Sequence, residues 1–138
     1  MPSKVSVDEA NAFLREAFSG PQNRSEVILM EEGHAMMRMK AGPEHMRPGG
    51  YISGPTQMTM ADSVTYMAIF TKLGITPMTV TSNLNMNFLR PCIGEAVMAE
   101  AKLMKLGRTL AVAEVEIRAE GSDKVASHAI VTYSIPAA

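Results

Sequence analysis

Asp62 is the only charged residue between Thr56 and Phe70. Its neighbours Met58, Met60, Ala61, Val64, Met67, Ala68, Ile69 and Phe70 are apolar on nearly all sides of a helix, and a helix that is apolar all round is a buried one. An ionised carboxylate there is costly unless it is paired or kept for chemistry. The chemistry open to it is that of a general base or a nucleophile. A plainer reading makes it an N-cap or surface residue of an amphipathic helix, but no clean polar face accompanies it. Gly54 stands eight residues earlier, where the same stretch begins. A glycine at a helix start can present its N–H close to a ligand, and the helix dipole favours negative charge there. Gly54 is therefore a candidate donor to an oxyanion. Eight helical residues span about 12 Å. One carbonyl cannot lie about 3 Å from both groups of one chain. If both act on one substrate, Asp62 must come from a second subunit.

These residues need elements to hold them. Ser53-Gly54-Pro55 is a helix-start signal, with Pro expected at the first helical position. The helix runs through residues 56–70, and Lys72-Leu73-Gly74 closes it with a cation and a C-cap glycine. Before it, residues 7–18 read as a short amphipathic helix, with Asp8 and Glu9 in its first turn and Gly20-Pro21 ending it. Residues 25–31 and 35–41 read as two strands joined at Glu32-Gly33-His34. Residues 42–54 hold four glycines and two prolines and read as a loop. Four strand-like runs follow the helix, at 79–88, 96–105, 110–119 and 125–135. In the third, Ala111, Ala113, Val115 and Ile117 share one face while Glu114, Glu116 and Arg118 share the other. The turns between these runs are short enough for antiparallel neighbours. One long apolar helix with an antiparallel sheet is an α+β pattern, over one domain spanning residues 1–138.

The motifs carry a family resemblance. Ser53-Gly54-Pro55-Thr56-Gln57-Met58-Thr59-Met60-Ala61-Asp62 resembles the His-Gly-Gly-x6-Asp element of the PaaI-type acyl-CoA thioesterases, with no insertion between Gly54 and Asp62. The stretch from Val80 through Asn83 to Arg90-Pro91 resembles that family's second strand and the Pro turn that ends it. Lys105-Leu106-Gly107-Arg108-Thr109 resembles its Gly-Arg/Lys-Thr hairpin. Three motifs in order at matching spacings, over roughly residues 44–135, are more specific than any one alone.

The resemblance implies the hotdog fold, a sheet wrapped around the long helix, and hydrolysis of a small or medium acyl- or aryl-CoA thioester. It implies active sites at a dimer interface, with dimers often paired into tetramers. It gives Asp62 the role of base or nucleophile, Gly54 that of oxyanion donor, and Thr81 that of a residue holding the attacking water. Thr81 also reads as an ordinary β-branched strand residue. Asn83, Asn85 and Asn87 alternate on one strand face, to meet pantetheine amides or solvent. Arg90, Lys105 and Arg108 are candidates for coenzyme A phosphates, Arg108 first because the resembling hairpin holds it. Two positions depart from the family. Its His is Ser53 here, a weaker hydroxyl donor toward a carbonyl, and its Asn or Gln falls near Arg47. Because of Ser53, a non-catalytic acyl-CoA-binding module is an alternative. An enoyl-thioester hydratase is a further one, although that chemistry normally pairs a His with the carboxylate.

Composition narrows the field. The net charge of −1 suggests neither a polyanion nor an anionic membrane as partner. Absent Trp and scarce aromatics argue against base stacking with nucleic acid. The single cysteine, Cys92, excludes an intramolecular disulfide and fits a reducing compartment. With no apolar run of membrane-spanning length and no signal peptide, the chain reads as cytoplasmic. Cys92 has no neighbouring base in sequence, and His34, His45 and His128 lack metal-ligand spacing. No metal or cofactor is expected. The thirteen methionines read mostly as core, with a Met-rich wall suited to varied acyl groups as a second use.

Overall fold

The computed structural model describes residues 2–18 and 25–136. Two helices and eight strands follow one another: α1 (Val7–Ala17), β1 (Ser25–Glu31), β2 (His34–Lys40), β3 (Met46–Arg47), β4 (Tyr51–Ile52), α2 (Gly54–Leu73), β5 (Val80–Phe88), β6 (Ala96–Leu106), β7 (Leu110–Ala119) and β8 (Ser127–Ser134). Six strands form one antiparallel sheet in the order β1-β2-β6-β7-β8-β5, while β3 and β4 pair alone. The Gly20-Pro21 stop assigned to the first helix lies outside the described residues. The segment read as a loop contains a 3-10 turn at Pro43–His45 and the small β3–β4 hairpin. Gly49 and Gly50 turn that hairpin at φ of 101° and 79°, a region open to glycine.

The sheet wraps around α2, which is the hotdog arrangement. Its inner face carries short side chains: Ala99 and Ala101 on β6, Ala111 and Ala113 on β7, and Ala129 on β8 are all fully buried. Alanines at these inward positions let the strands approach the helix closely, and Met37, Val97, Val115, Ile117 and Val131 fill the remaining space. From Val64 to Thr71 every residue of α2 is buried. The buried hydroxyls in this stretch are all bonded: Thr65 donates to the Ala61 carbonyl at 2.8 Å and Thr71 to that of Ala68 at 2.6 Å. Gly74, at φ 85°, ends the helix. No helix among the described residues is long and apolar enough to cross a membrane.

The first half of α2 departs from the expectation. Met58 is 41% exposed and Pro55 and Thr59 are open, so Asp62 is half-buried rather than enclosed. The reason is topological. The sheet ends at β1 on one side and β5 on the other, and between these edges one face of the helix stays open. Positions 55, 58, 59 and 62 fall on that face by helical spacing. The start signal also shifts by one residue. Ser53 is the N-cap, Gly54 the first helical residue and Pro55 the second. A residue before proline is normally pushed out of the helical region by contact with its Cβ, which Gly54 lacks.

The Ser53 hydroxyl accepts the Thr56 N–H at 3.2 Å and lies 2.7 Å from the Thr56 hydroxyl. Thr56 in turn donates to the His45 carbonyl at 3.3 Å, so the Ser53 proton goes to Thr56. Helix α1 is fastened differently. Ser6 and Glu9 form a capping box at its start. The Asn11 amide donates to the Val27 carbonyl at 3.0 Å and accepts the Val27 N–H at 2.8 Å. One side chain thereby satisfies both backbone groups on the outer side of the edge strand β1.

Two outcomes follow for stability. Asn11→Ala leaves both Val27 groups without their partner and should lower the unfolding free energy by about 1–3 kcal/mol, measured by urea titration. Ser53→Ala removes the cap of α2 and should cost about 1 kcal/mol, read as a lower melting temperature. An unchanged melting temperature would mean that the cap contributes nothing.

Candidate active site at the open face of the central helix

Asp62 sits where α2 meets the ends of β5 and β8. Thr81 donates its hydroxyl hydrogen bond to Asp62 Oδ1. The Tyr133 hydroxyl reaches the same Oδ1 at 2.8 Å and the backbone carbonyl of Asp62 at 3.0 Å. Thr81 and Tyr133 are direct cross-strand partners, so the two donors stand side by side. Burial pushes the Tyr133 phenol far above its ordinary value, and the adjacent carboxylate adds to this. It therefore stays protonated and remains a donor at any working pH.

The position of Thr81 depends on a bulge. On β5, Leu84, Met86 and Phe88 pair with Val131, Ala129 and Ser127 of the buried face of β8, while Asn83, Asn85 and Asn87 pair with its outer residues. Strict alternation from Asn83 would put Thr81 outside as well. The register shifts between Thr81 and Asn83, leaving Ser82 unpaired. That extra residue returns Thr81 to the helix-facing side, opposite Tyr133.

A cleft of about 1030 Å³ opens over this cluster. Its polar side holds Asp62, Thr81 and Tyr133, and its apolar side includes Leu14, Met37 and Met39. Met37 and Met39 are both core residues and cleft wall, so the two uses expected of methionine coincide at these positions. His45 lines the same cleft although it is 91% buried, being 9% exposed. Its Nδ1 accepts the Gly42 N–H at 2.8 Å, which places the proton of the neutral ring on Nε2.

Gly54 opens a different cleft, of about 470 Å³, shared with Arg47, Gln57, Phe88 and Arg90. As the first helical residue, its N–H has no intrahelical acceptor. A Cβ at this position would lie 3.4 Å from the Phe88 ring. Gln57 fixes the helix start from beneath, donating to the Ile52 carbonyl at 3.2 Å and accepting from Ser127 at 2.6 Å. Arg90 donates to the Val125 carbonyl at the mouth of this cleft.

The sequence-derived residues thus divide. Asp62 and Thr81 meet, and Gly54 and Arg90 share the second cleft. Asn83, Asn85 and Asn87 are exposed on the outer side of β5, and Arg108 is exposed at the β6–β7 turn; these four line neither cleft. Ser53 caps the helix and also lines neither cleft. Burial raises the Cys92 thiol above its usual value, away from a reactive thiolate. His34 Nε2 lies 2.5 Å from Glu100 and His128 Nε2 lies 2.8 Å from Glu114, on the outer face of the sheet.

Sequence reasoning missed Tyr133 and did not connect His45 or Arg47 with a cleft. The one available signal for Tyr133 is its place in the inward row Ser127, Ala129, Val131, Tyr133, where it is the one aromatic with a polar tip.

Residues 49–126 match the family described as the thioesterase superfamily, which is more than half of the chain. A protein of Silicibacter sp. TM1040 assigned as a thioesterase has a crystal structure that superimposes with a TM-score of 0.89. It is 33% identical, and the match covers 99% of this chain and 96% of that one. Human acyl-coenzyme A thioesterase 13 is 27% identical over 101 residues, covering 72% of this chain and 71% of that protein. The PaaI protein from the phenylacetic acid degradation operon of E. coli shares the fold, with a TM-score of 0.77 at 19% identity over 96% of this chain and 97% of that one. With a matching family over residues 49–126 and a solved relative aligned along nearly its whole length, this chain belongs to the thioesterase superfamily.

Proposed function

We propose that this protein is an acyl-CoA thioesterase that works as a dimer, each site taking Asp62 and Thr81 from one subunit and Gly54 from the other. The observation that carries this reading is the separation of the two halves. Asp62 and Gly54 of one chain face different clefts, so neither cleft holds both a base and an oxyanion donor. The edge strand supports the same reading. Along its outer side β5 has no neighbouring strand among the described residues, and Val80 and Phe88 at its ends are 58% and 50% exposed. An edge strand of this length flanked by apolar side chains calls for cover, and a second copy of β5 would bring the partner's second cleft toward Asp62. Pairing of such dimers into tetramers belongs to the same reading. So does a cytoplasmic location, which rests on the single free thiol of Cys92.

The chemistry follows from these parts. Asp62 takes a proton from water, and the resulting hydroxide adds to the thioester carbonyl. The Gly54 N–H, at the positive end of α2, stabilises the oxyanion that forms. The carbonyl then re-forms, the C–S bond breaks, and the proton held by Asp62 passes to the coenzyme A thiolate. Direct attack by the Asp62 carboxylate, with later hydrolysis of the anhydride, is the covalent version of the same scheme. Thr81 donates to the carboxylate and keeps its lone pairs for the attacking water. Arg90 and Arg47 flank the Gly54 cleft and supply positive charge for coenzyme A phosphates. Asn83 and Arg108 enter the substrate contact only if the partner subunit brings them to it. The Ser53 hydroxyl is engaged with Thr56, so its part is to hold the helix start that presents Gly54.

Asp62→Asn keeps the shape and removes the base. Thiol release from a panel of acyl- and aryl-CoAs should fall by about 10²–10⁴; a wild-type rate would remove Asp62 from the chemistry. Complementation tests the shared site. Gly54→Leu fills the second cleft beside Phe88 and should be inactive alone. After subunit exchange with Asp62→Asn, each mixed dimer should regain one working site. Continued inactivity despite verified exchange, or a monomer in sedimentation, would refute the shared site.

A further inference from the structure

Tyr133 makes two hydrogen bonds to Asp62 where Thr81 makes one, yet the hydrolytic steps give it no task. Its ring is 3% exposed and stacks on Tyr66 with centroids 5.8 Å apart at 23°. Its hydroxyl has one proton and two acceptors on the same residue, Asp62 Oδ1 and the Asp62 backbone carbonyl. A bond shared in this way ties the carboxylate to its own main chain and restrains rotation about the side chain. Thr81 adds a second donor to the same oxygen. A carboxylate oxygen has about two lone pairs, so Oδ1 is filled. Among the described residues no donor reaches Oδ2.

We infer that Tyr133 is a positioning residue: with Thr81 it reserves Oδ1 for orientation and leaves Oδ2 as the oxygen that meets the attacking water or the thioester. This rests on Asp62 being the reactive carboxylate. Without the phenol, Thr81 alone would hold the group, and rotation could exchange the two oxygens. Reaction needs the attacking groups held close to their productive geometry, and a displacement of about 1 Å can lower a rate by about 10².

Tyr133→Phe removes only the hydroxyl and keeps the ring. In the purified full chain, kcat for thiol release should fall about tenfold to a hundredfold. KM should stay within about twofold, because the phenol touches Asp62 and not the substrate. Thr81→Val should also lower kcat, and the double variant should lose less than the product of the two single losses, since both act on one oxygen. Wild-type kcat in Tyr133→Phe, with Asp62→Asn inactive, overturns the inference and leaves the thioesterase reading intact. An active Asp62→Asn overturns the reading itself. A rise in KM that accounts for the whole loss in kcat/KM would make Tyr133 a substrate contact instead. Should Tyr133→Phe fail to fold, a crystal structure of the wild type decides the matter. A water ordered on Oδ2 is expected, and one bound to Oδ1 in place of the phenol overturns the inference.

Discussion

The burial of α2 is the constraint on which the rest of this structure depends. From Val64 to Thr71 the helix is buried around the full circumference, and no single flat layer can cover such a helix. A strongly curved sheet can, provided its inner side chains are short. The alanines of β6, β7 and β8 meet that condition. Curvature has a consequence at the sheet's ends: β1 and β5 do not meet, so one face of the first half of the helix remains open. That opening is where Asp62 lies. The demand that buries one half of the helix therefore leaves one face of the other half accessible.

The buried polar groups of α2 are all satisfied. Thr65 and Thr71 return their hydroxyls to the helix backbone, and Gln57 bridges the Ile52 carbonyl and Ser127. No buried side-chain polar atom among the described residues lacks a partner. Each of these bonds spares a desolvation cost of about 1–3 kcal/mol. The two Gln57 bonds also fix the helix start against β8 and the β3–β4 hairpin, which orients the Gly54 N–H. At Asp62 the same requirement is met by hydroxyls from two adjacent strands, so the group that could do chemistry is held by the sheet that buries the helix.

Much of this was legible in the sequence because it depends on local pattern. The inward and outward rows of β7 follow from alternation, and the extents of α2 and of β5 to β8 follow from apolar runs bounded by Gly and Pro. Asp62 stood out as a charge without a polar face, and the spacing to Gly54 already argued against one chain using both. The expectation of full burial erred because periodicity reports that a face is apolar, not that something covers it.

The amino-acid sequence by itself determined the elements, their inward faces, the family resemblance and the two residues of strongest chemical interest. Helical and strand periods are local properties, and eight residues of helix have a fixed length. The resemblance had named Thr81 with Asp62, but only the tertiary structure decided how Thr81 reaches the carboxylate and that Tyr133 joins it. The bulge at Ser82 breaks the two-residue repeat that would have sent Thr81 outward, and a one-residue shift in register cannot be read from alternation. Tyr133 lies 71 residues from Asp62 along the chain and reaches it only because β8 pairs with β5 beside the helix. Such a contact is set by the strand order of the sheet, which no local pattern encodes.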